Sequence, residues 1–278
     1  MTRVDAHQHF WRLSRGDYAW LTPADFPRIA RDFLPADLAP LLQAAKIDKT
    51  VLVQAAPTTA ETAFLLELAH ATPFVGGVVG WVDFEAPDAD SQIVRLAADS
   101  RTVGVRPMIQ DIADPDWMLK PALKPAIDAV IRSDLCFDAL VKPRHLPALR
   151  EFLERYPDLS VVIDHGAKPD IAGLGHELWS MLMRDIARNT GARCKLSGLA
   201  SEAGAGWTAQ GLKLYVDVLL ENFGASRTMW GSDWPVLNEV GDYGSWLTAC
   251  ETLTRQLSPT ERDSIFGGTA AAFYGLGA

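Results

Sequence analysis

The chain has 278 residues, 48% apolar and 22% charged, with a net charge of −9 and an isoelectric point near 5.1. That balance belongs to a globular protein with a sizeable core, and it excludes nucleic acid and anionic membrane surfaces as expected partners. Three cysteines, Cys136, Cys194 and Cys250, lie far apart and outside any C-x-x-C pair, so neither a disulfide framework nor a zinc–thiolate site is indicated.

The opening residues hold no apolar signal segment, and no run approaches the ~18 apolar residues of a membrane span, so a soluble cytoplasmic protein is expected. Apolar, β-branched-rich runs then alternate with amphipathic segments along the whole chain. The runs predict strands at Val4–Phe10, Thr50–Ala55, Phe74–Val82, Val103–Ile109, Leu135–Val141, Ser160–Asp164, Ala192–Leu199 and Thr228–Ser232. Helical spacing fills the intervals, as in Pro35–Lys46, Thr59–Ala71, Ala122–Ser133, Leu178–Arg188 and Gln210–Phe223, and continues beyond the last strand in Gly244–Gln256 and Pro259–Phe273. Pro35-Ala36-Asp37 and Ser258-Pro259-Thr260-Glu261 carry helix-start signals.

Eight strand–helix units without the alternation of a solvent-facing sheet predict a parallel α/β protein, a (β/α)8 TIM barrel, possibly distorted, of one domain spanning residues 1–278. A nucleotide-binding open sheet would place a Gly-rich turn after its first strand. His7-Gln8-His9-Phe10-Trp11 stands there instead. Trp11–Arg31 fits neither strand nor helix and reads as a long first βα-loop, with Trp11, Tyr18 and Trp20 able to line or cover a pocket.

Barrel active sites collect at the C-terminal ends of the strands, and the polar residues of this chain fall there. His7 and His9, two residues apart in an extended strand, present two imidazoles on one side, a start for zinc-type or acid–base chemistry. Further along stand Gln54, Trp81 and Asp83, Arg106, Asp164 with His165 and Lys168, Lys195 with Ser197, and Asp233. Arg106 in an apolar strand needs a buried anion or carbonyl partner, either a structural carboxylate or the substrate. Asp83 and Asp164 could each hold a loop or orient a neighbour. His70, His145 and His176 read as surface or capping residues, and the nine tryptophans as core or pocket wall.

Taken together, His7-Gln8-His9, Gly104-Val105-Arg106, Asp164-His165-Gly166-Ala167-Lys168-Pro169, Lys195-Leu196-Ser197-Gly198-Leu199 and Trp230-Gly231-Ser232-Asp233-Trp234-Pro235 resemble the amidohydrolase superfamily, in its amidohydrolase-2 branch. The resemblance covers essentially the entire chain and extends to barrel hydrolases that include sugar lactonases and dicarboxylate lactonases. It implies a site at the strands' C-terminal ends, with His7, His9, His165 and Asp233 matching the metal ligands. Arg106 stands where binuclear members place a bridging Lys or a Glu, and strand 5 ends without a histidine. One divalent ion, zinc or else manganese, is therefore implied rather than two, and some relatives in this branch work without metal.

The expected reaction is hydrolysis of a sugar-acid lactone, with Asp233 as general base and His7, His9 and His165 polarising water or carbonyl, through one ion or directly. Arg106, Asp83, Gln54, Lys168 and Ser197 would bind substrate hydroxyls or a carboxylate, with Trp81 and Trp234 as pocket wall. A dicarboxylate lactonase and a decarboxylase of the same superfamily are the alternative enzymes, and a sugar-acid binding protein without activity is a third reading. A small-molecule lactone is the expected partner of a monomer or homodimer.

Overall fold

In the computed structural model, which describes residues 2–173 and 175–277, eight strands form one sheet in sequential order, every neighbouring pair parallel. They are β1 (Val4–Gln8), β2 (Lys49–Val53), β3 (Val75–Gly80), β4 (Thr102–Val105), β5 (Cys136–Ala139), β6 (Val161–Ile163), β7 (Arg193–Leu196) and β8 (Thr228–Trp230). The helices are α1 (Pro35–Ala45), α2 (Thr59–Ala71), α3 (Ala89–Ala97), α4 (Lys124–Arg132), α5 (Leu146–Arg155), α6 (His176–Asn189), α7 (Leu199–Ala203), α8 (Ala209–Phe223), α9 (Tyr243–Leu253), α10 (Pro259–Asp263) and α11 (Thr269–Phe273). The sheet is a (β/α)8 barrel, closed between β8 and β1 by a parallel bridge from Gln8 to Trp234.

Every predicted strand is present, but each stops short of the predicted C-terminal end. The residues past those ends turn outward. Arg106 still receives a ladder bond, its N–H donating to Gly80 O at 2.8 Å, and Pro107 then leaves the ladder with no N–H to give. His165, Ala167, Lys168 and Asp233 all adopt left-handed backbone conformations that no strand continues. The apolar-run rule overreached here because the residues that end each strand are themselves largely buried.

Two apolar clusters hold the barrel. The larger packs helices against the outer strand faces through residues such as Leu38, Leu65, Ile93, Val130, Phe152, Ile186 and Leu219. The smaller joins Val51, Val53, Val79, Cys136, Val162 and Met229 to Ala270, Phe273 and Tyr274. Two-residue alternation puts Cys136 and Val162 on the strand faces that also carry Asp138 and Asp164, so this cluster fills the lumen beneath the polar site. The C-terminal helix α11 with Tyr274 closes the base, where Cys136 Sγ reaches Phe273 O at 3.1 Å.

The segment 11–31 is a loop, as its composition predicts, apart from a short 3-10 turn at Leu13–Arg15. Trp11 pairs with Phe33 through reciprocal backbone bonds of 3.0 Å, which pins both ends of the loop. Helix starts follow local chemistry. Thr58 Oγ1 accepts from Glu61 N at 3.0 Å, and Ser258 with Glu261 forms a capping box. Among the described residues, no helix is long and apolar enough to cross a membrane.

Candidate active site

The seam that closes the barrel also assembles the site. His9 N–H donates to Trp234 O at 2.7 Å, and Asp233 N–H donates to His7 O at 2.8 Å. Asp5 reinforces the seam from below, accepting from Ser232 N at 2.8 Å and from Tyr243 OH at 3.0 Å. Gly231 is required at this crossing because a Cβ there would lie 2.8 Å from His7 Cβ. These contacts bring residues 224 to 227 positions apart in the chain into one cluster.

At its centre is Asp233 Oδ1, with the Nε2 atoms of His9 at 3.3 Å, His7 at 3.8 Å and His165 at 3.8 Å. All three histidines are buried at the strand ends. His9 Nδ1–H donates to Val53 O at 2.8 Å, which fixes the ring with its Nε2 3.3 Å from the Asp233 carboxylate. His165 Nδ1 shares a 2.8 Å hydrogen bond with Ser197 Oγ. A hydroxyl both donates and accepts, so either tautomer of His165 is supported. Gly198, with φ of 67°, makes this contact possible, because a Cβ there would lie 2.6 Å from His165 Cγ. Left-handed backbone at His165 (φ 53°) and Asp233 (φ 57°) marks strain held by the surroundings, a pattern of functional sites.

Burial lowers His7 far below its usual range and brings His165 down to about 4. Lys195 adds to the effect on His7, whereas Asp233 and Asp164 only partly offset it at His165. Burial works in the opposite sense on Asp233, but His165, the hydrogen bond from His9 and His7 outweigh it and hold the carboxyl below the usual range. Near neutral pH Asp233 is thus a carboxylate, with His7 and His165 beside it as neutral imidazoles.

Behind His7 lies a fully buried ionic network. Lys195 Nζ contacts Asp138 Oδ2 at 2.5 Å, Asp164 Oδ1 at 3.0 Å and His7 Nδ1 at 3.1 Å. Tyr274 OH donates to Asp138, and Arg106 Nη1–H donates to Asp164 Oδ2 at 3.1 Å. Burial favours the neutral form of Asp164, but Lys195, His7 and Arg106 prevail and keep it ionised. Two cations and two carboxylates balance in a lumen where an unpaired charge would be costly.

Above the cluster opens a cavity of about 590 Å³. His9, Arg106, His165, Lys168 and Asp233 stand on its wall. The remaining lining divides into apolar groups (Ala19, Trp20, Phe26, Ala55, Pro57, Met108, Leu140, Val236) and polar ones (Asp17, Thr58, Gln110, Asp111). Trp20 from the first loop packs edge-on against Phe26 and donates from its indole to Ala55 O at 2.9 Å.

Several sequence-assigned binding residues stand elsewhere. Gln54 is buried beneath the wall, its Nε2–H donating to Arg106 O at 2.7 Å. Ser197 lies behind His165, and Trp234 is buried in the aromatic cluster of Phe10 and Phe33. Asp83 is an exposed turn residue accepting from Glu85 N, and Trp81 faces a separate groove beside Thr62 and Leu66. Each was placed at the mouth by its proximity to a strand end, but loop direction and side-chain parity turn them away. Trp11 and Tyr18 are likewise buried rather than lining the cavity, Trp11 stacking beside the His9 ring at 6.4 Å.

Of the two partners expected for Arg106, the structural carboxylate is present as Asp164, and the residue also borders the cavity. His70 pairs with exposed Asp99, and His145 accepts from Lys142 N. His176 opens α6 beside Trp179. Residues that the strand-end rule passed over are Asp138, Met108, Gln110, Asp111 and Asp17. Asp138 had a signal, a lone carboxylate within the apolar run Cys136-Phe137-Asp138-Ala139, matching Lys195 within Cys194-Lys195-Leu196.

The donor set suits one divalent cation. His7, His9 and Asp233 offer ligand atoms within 4.8 Å of one another. Imidazole and carboxylate together match zinc or manganese.

Comparison with known proteins agrees with this construction. The Amidohydrolase family model matches residues 4–276. An L-fucono-1,5-lactonase of Burkholderia ambifaria is 49% identical over 276 residues, 98% of this chain and 95% of that protein. An L-fucono-1,5-lactonase of Burkholderia multivorans is 35% identical, covering 99% of this chain and 96% of its own. The crystal structure of a Burkholderia multivorans amidohydrolase with bound zinc superposes with a TM-score of 0.93 at 34% identity, covering 100% of both chains. With the family match spanning both the strand-end histidines and Asp233, the chain belongs to the amidohydrolase family.

Proposed function

We propose that this protein hydrolyses a sugar-acid lactone to the free acid, with a 1,5-aldonolactone of the L-fuconolactone type as substrate. The observation that carries the reading is the Asp233 carboxylate, held ionised beside three buried histidines, at the wall of a mainly apolar cavity with polar groups on its rim, in a chain 49% identical to a lactonase. A deoxy-sugar lactone needs both surfaces, hydrogen-bonding groups for its hydroxyls and an apolar wall for its deoxy edge. The dicarboxylate alternative fits less well. The cationic side chains on the cavity wall are Arg106 and Lys168, and each already faces a carboxylate, Asp164 at 3.1 Å and Glu202 at 3.4 Å.

In the reaction, Asp233 accepts a proton from the attacking water as its oxygen bonds to the lactone carbonyl carbon. Arg106 and His165 donate hydrogen bonds to the carbonyl oxygen as it becomes an oxyanion. When the tetrahedral species collapses, the ring C–O bond breaks and Asp233 returns the proton to the departing alkoxide. Trp20 and Phe26 limit water on the apolar side. His7, His9 and Asp233, with His165 beside them, would hold a divalent ion, zinc or manganese, which would supply Lewis-acid polarisation and a more acidic water. The enzyme is taken as one domain spanning residues 1–278, cytoplasmic, and a monomer or homodimer.

The test is a panel of sugar lactones followed with a pH indicator, on protein of known metal content with and without chelator. Acid release from one stereochemical series of 1,5-lactones is expected. Inertness across the panel, with turnover of a pyrone dicarboxylate or CO₂ release from an aromatic acid, would refute the reading.

A further inference from the structure

We propose that Glu239 is a positioning residue, which clamps the first loop onto the turn after β8 and so holds the aromatic wall of the cavity against the substrate. The inference rests on the lactone reading only for the identity of that substrate. Glu239 ends the 3-10 turn Val236–Glu239, which follows Asp233 in the chain. Its Oε1 accepts from two consecutive backbone N–H groups of the first loop, Arg28 at 2.8 Å and Ile29 at 2.9 Å. Arg28 adds bonds in the other direction, its Nη1 reaching Glu239 O at 3.3 Å and Asn238 O at 3.4 Å. Segments 210 positions apart are joined in this way.

The loop needs a partner of this kind. Pro27 has no N–H to offer, and the next two N–H groups both meet Glu239. Within the loop Ile29 N–H has only a longer contact, to Phe26 O at 3.3 Å. Ile29 is fully buried, so a donor left there without a good acceptor would be costly. Among the described residues, Glu239 is the one side chain from outside the loop that accepts from a backbone N–H of residues 21–30. Phe26 stands two residues before the clamp, lines the cavity and packs edge-on against Trp20 with centroids 5.2 Å apart. Trp20 is tied separately to Ala55 O, so the clamp fixes the Phe26 half of the pair.

The clamp acts on binding and not on the reacting groups. The turn after β8 is held by its own backbone, Leu237 N–H donating to Asp233 O at 3.0 Å and Asn238 N–H to Pro235 O at 2.9 Å. Asp233 is itself fixed by its N–H bond to His7 O. Losing the Glu239 side chain therefore leaves the carboxylate in place and frees the loop. The Trp20–Phe26 wall meets the substrate in the ground state and the transition state alike, so loosening it raises KM and spares kcat. Both loop bonds end on one oxygen, which an amide also provides, so the clamp works without the charge.

The experiment compares the full chain with its Glu239→Ala and Glu239→Gln variants. KM and kcat are read on the lactone that the panel identifies, and amide hydrogen exchange is followed in a peptide spanning Arg28 and Ile29. In Glu239→Ala, KM should rise about tenfold and exchange at the two amides should quicken at least about tenfold, with kcat within about twofold of wild type. Glu239→Gln should restore both readouts. A fall in kcat at constant KM would overturn the proposal, as would an alanine variant that matches wild type. Faster exchange with KM unmoved would reduce Glu239 to a structural contact, and a glutamine variant as impaired as alanine would make its charge the cause; either result overturns the proposal too. Should no lactone turn over, the functional reading fails by itself and the exchange measurement decides the clamp. Should Glu239→Ala fail to fold, Glu239→Asp, one methylene short of both amides, is read in the same way.

Discussion

The backbone N–H of Asp233 donates to the backbone carbonyl of His7 at 2.8 Å, so a hydrogen bond that closes the barrel also places the carboxylate beside the imidazole. The two side chains sit 3.8 Å apart as a result. Candidate-site geometry and barrel closure are one feature in this fold, so its members are hard to vary separately.

Asp233→Asn preserves the shape of that seam, because the bond to His7 O comes from the backbone. It removes the proton acceptor. We expect kcat to fall by about 10³-fold, with circular dichroism and melting temperature near wild type. Wild-type-like turnover would reassign the base.

Ser197→Ala removes the partner that orients His165 through Nδ1, 2.8 Å away, without touching the cavity wall. Such supporting contacts are worth about 10–100-fold in activity. The loss should fall on kcat rather than KM, read from full saturation curves. A change confined to KM would instead place Ser197 against the substrate.

Gly198→Ala puts a methyl group 2.6 Å from His165 Cγ at a residue whose φ is 67°. Strain of about 1–3 kcal/mol is expected from the backbone alone. Thermal unfolding should show a lower midpoint, and activity should fall with it because the displaced ring is His165. An unshifted midpoint would mean the β7–α7 turn can relax.

Glu61 gives a pH signature of stability. Its buried carboxylate accepts from Ala55 N at 2.9 Å and Ala56 N at 2.8 Å, holding the loop that carries Ala55, Pro57 and Thr58 to the cavity. Burial pushes its pKa up to about 7, the hydrogen bonds offsetting only part of this. The folded state therefore binds the proton more tightly than the unfolded state, and this contribution is present below about pH 4.5 and lost as pH rises through about 7. The span corresponds to about 3 kcal/mol at most. Denaturant titrations of Glu61→Gln should show a stability that gains on wild type between pH 5 and 8. A constant difference across that range would remove Glu61 as the titrating group.

The eight-strand barrel followed from local chemistry alone. Parallel barrel strands are buried on both faces, so they appear as short β-branched apolar runs, and helices between them declare their starts, as at Pro35 and Ser258. His7, His9, His165 and Asp233 were equally accessible, because a titratable residue ending an apolar strand is conspicuous whatever surrounds it. Which neighbours join them depends on contacts between positions far apart in the chain. Trp81 and Asp83 follow a strand as closely as Asp233 does, yet the turn after β3 carries them outside the cavity. Lys195 and Asp138 lie within strands whose interior parity is fixed only when the sheet closes, and closure alone brings them together at 2.5 Å. Local sequence sets where strands and helices begin, through propensity and burial. The pairing of β8 with β1, made by contacts between the two ends of the chain, decides which buried charged side chains meet at the strand ends.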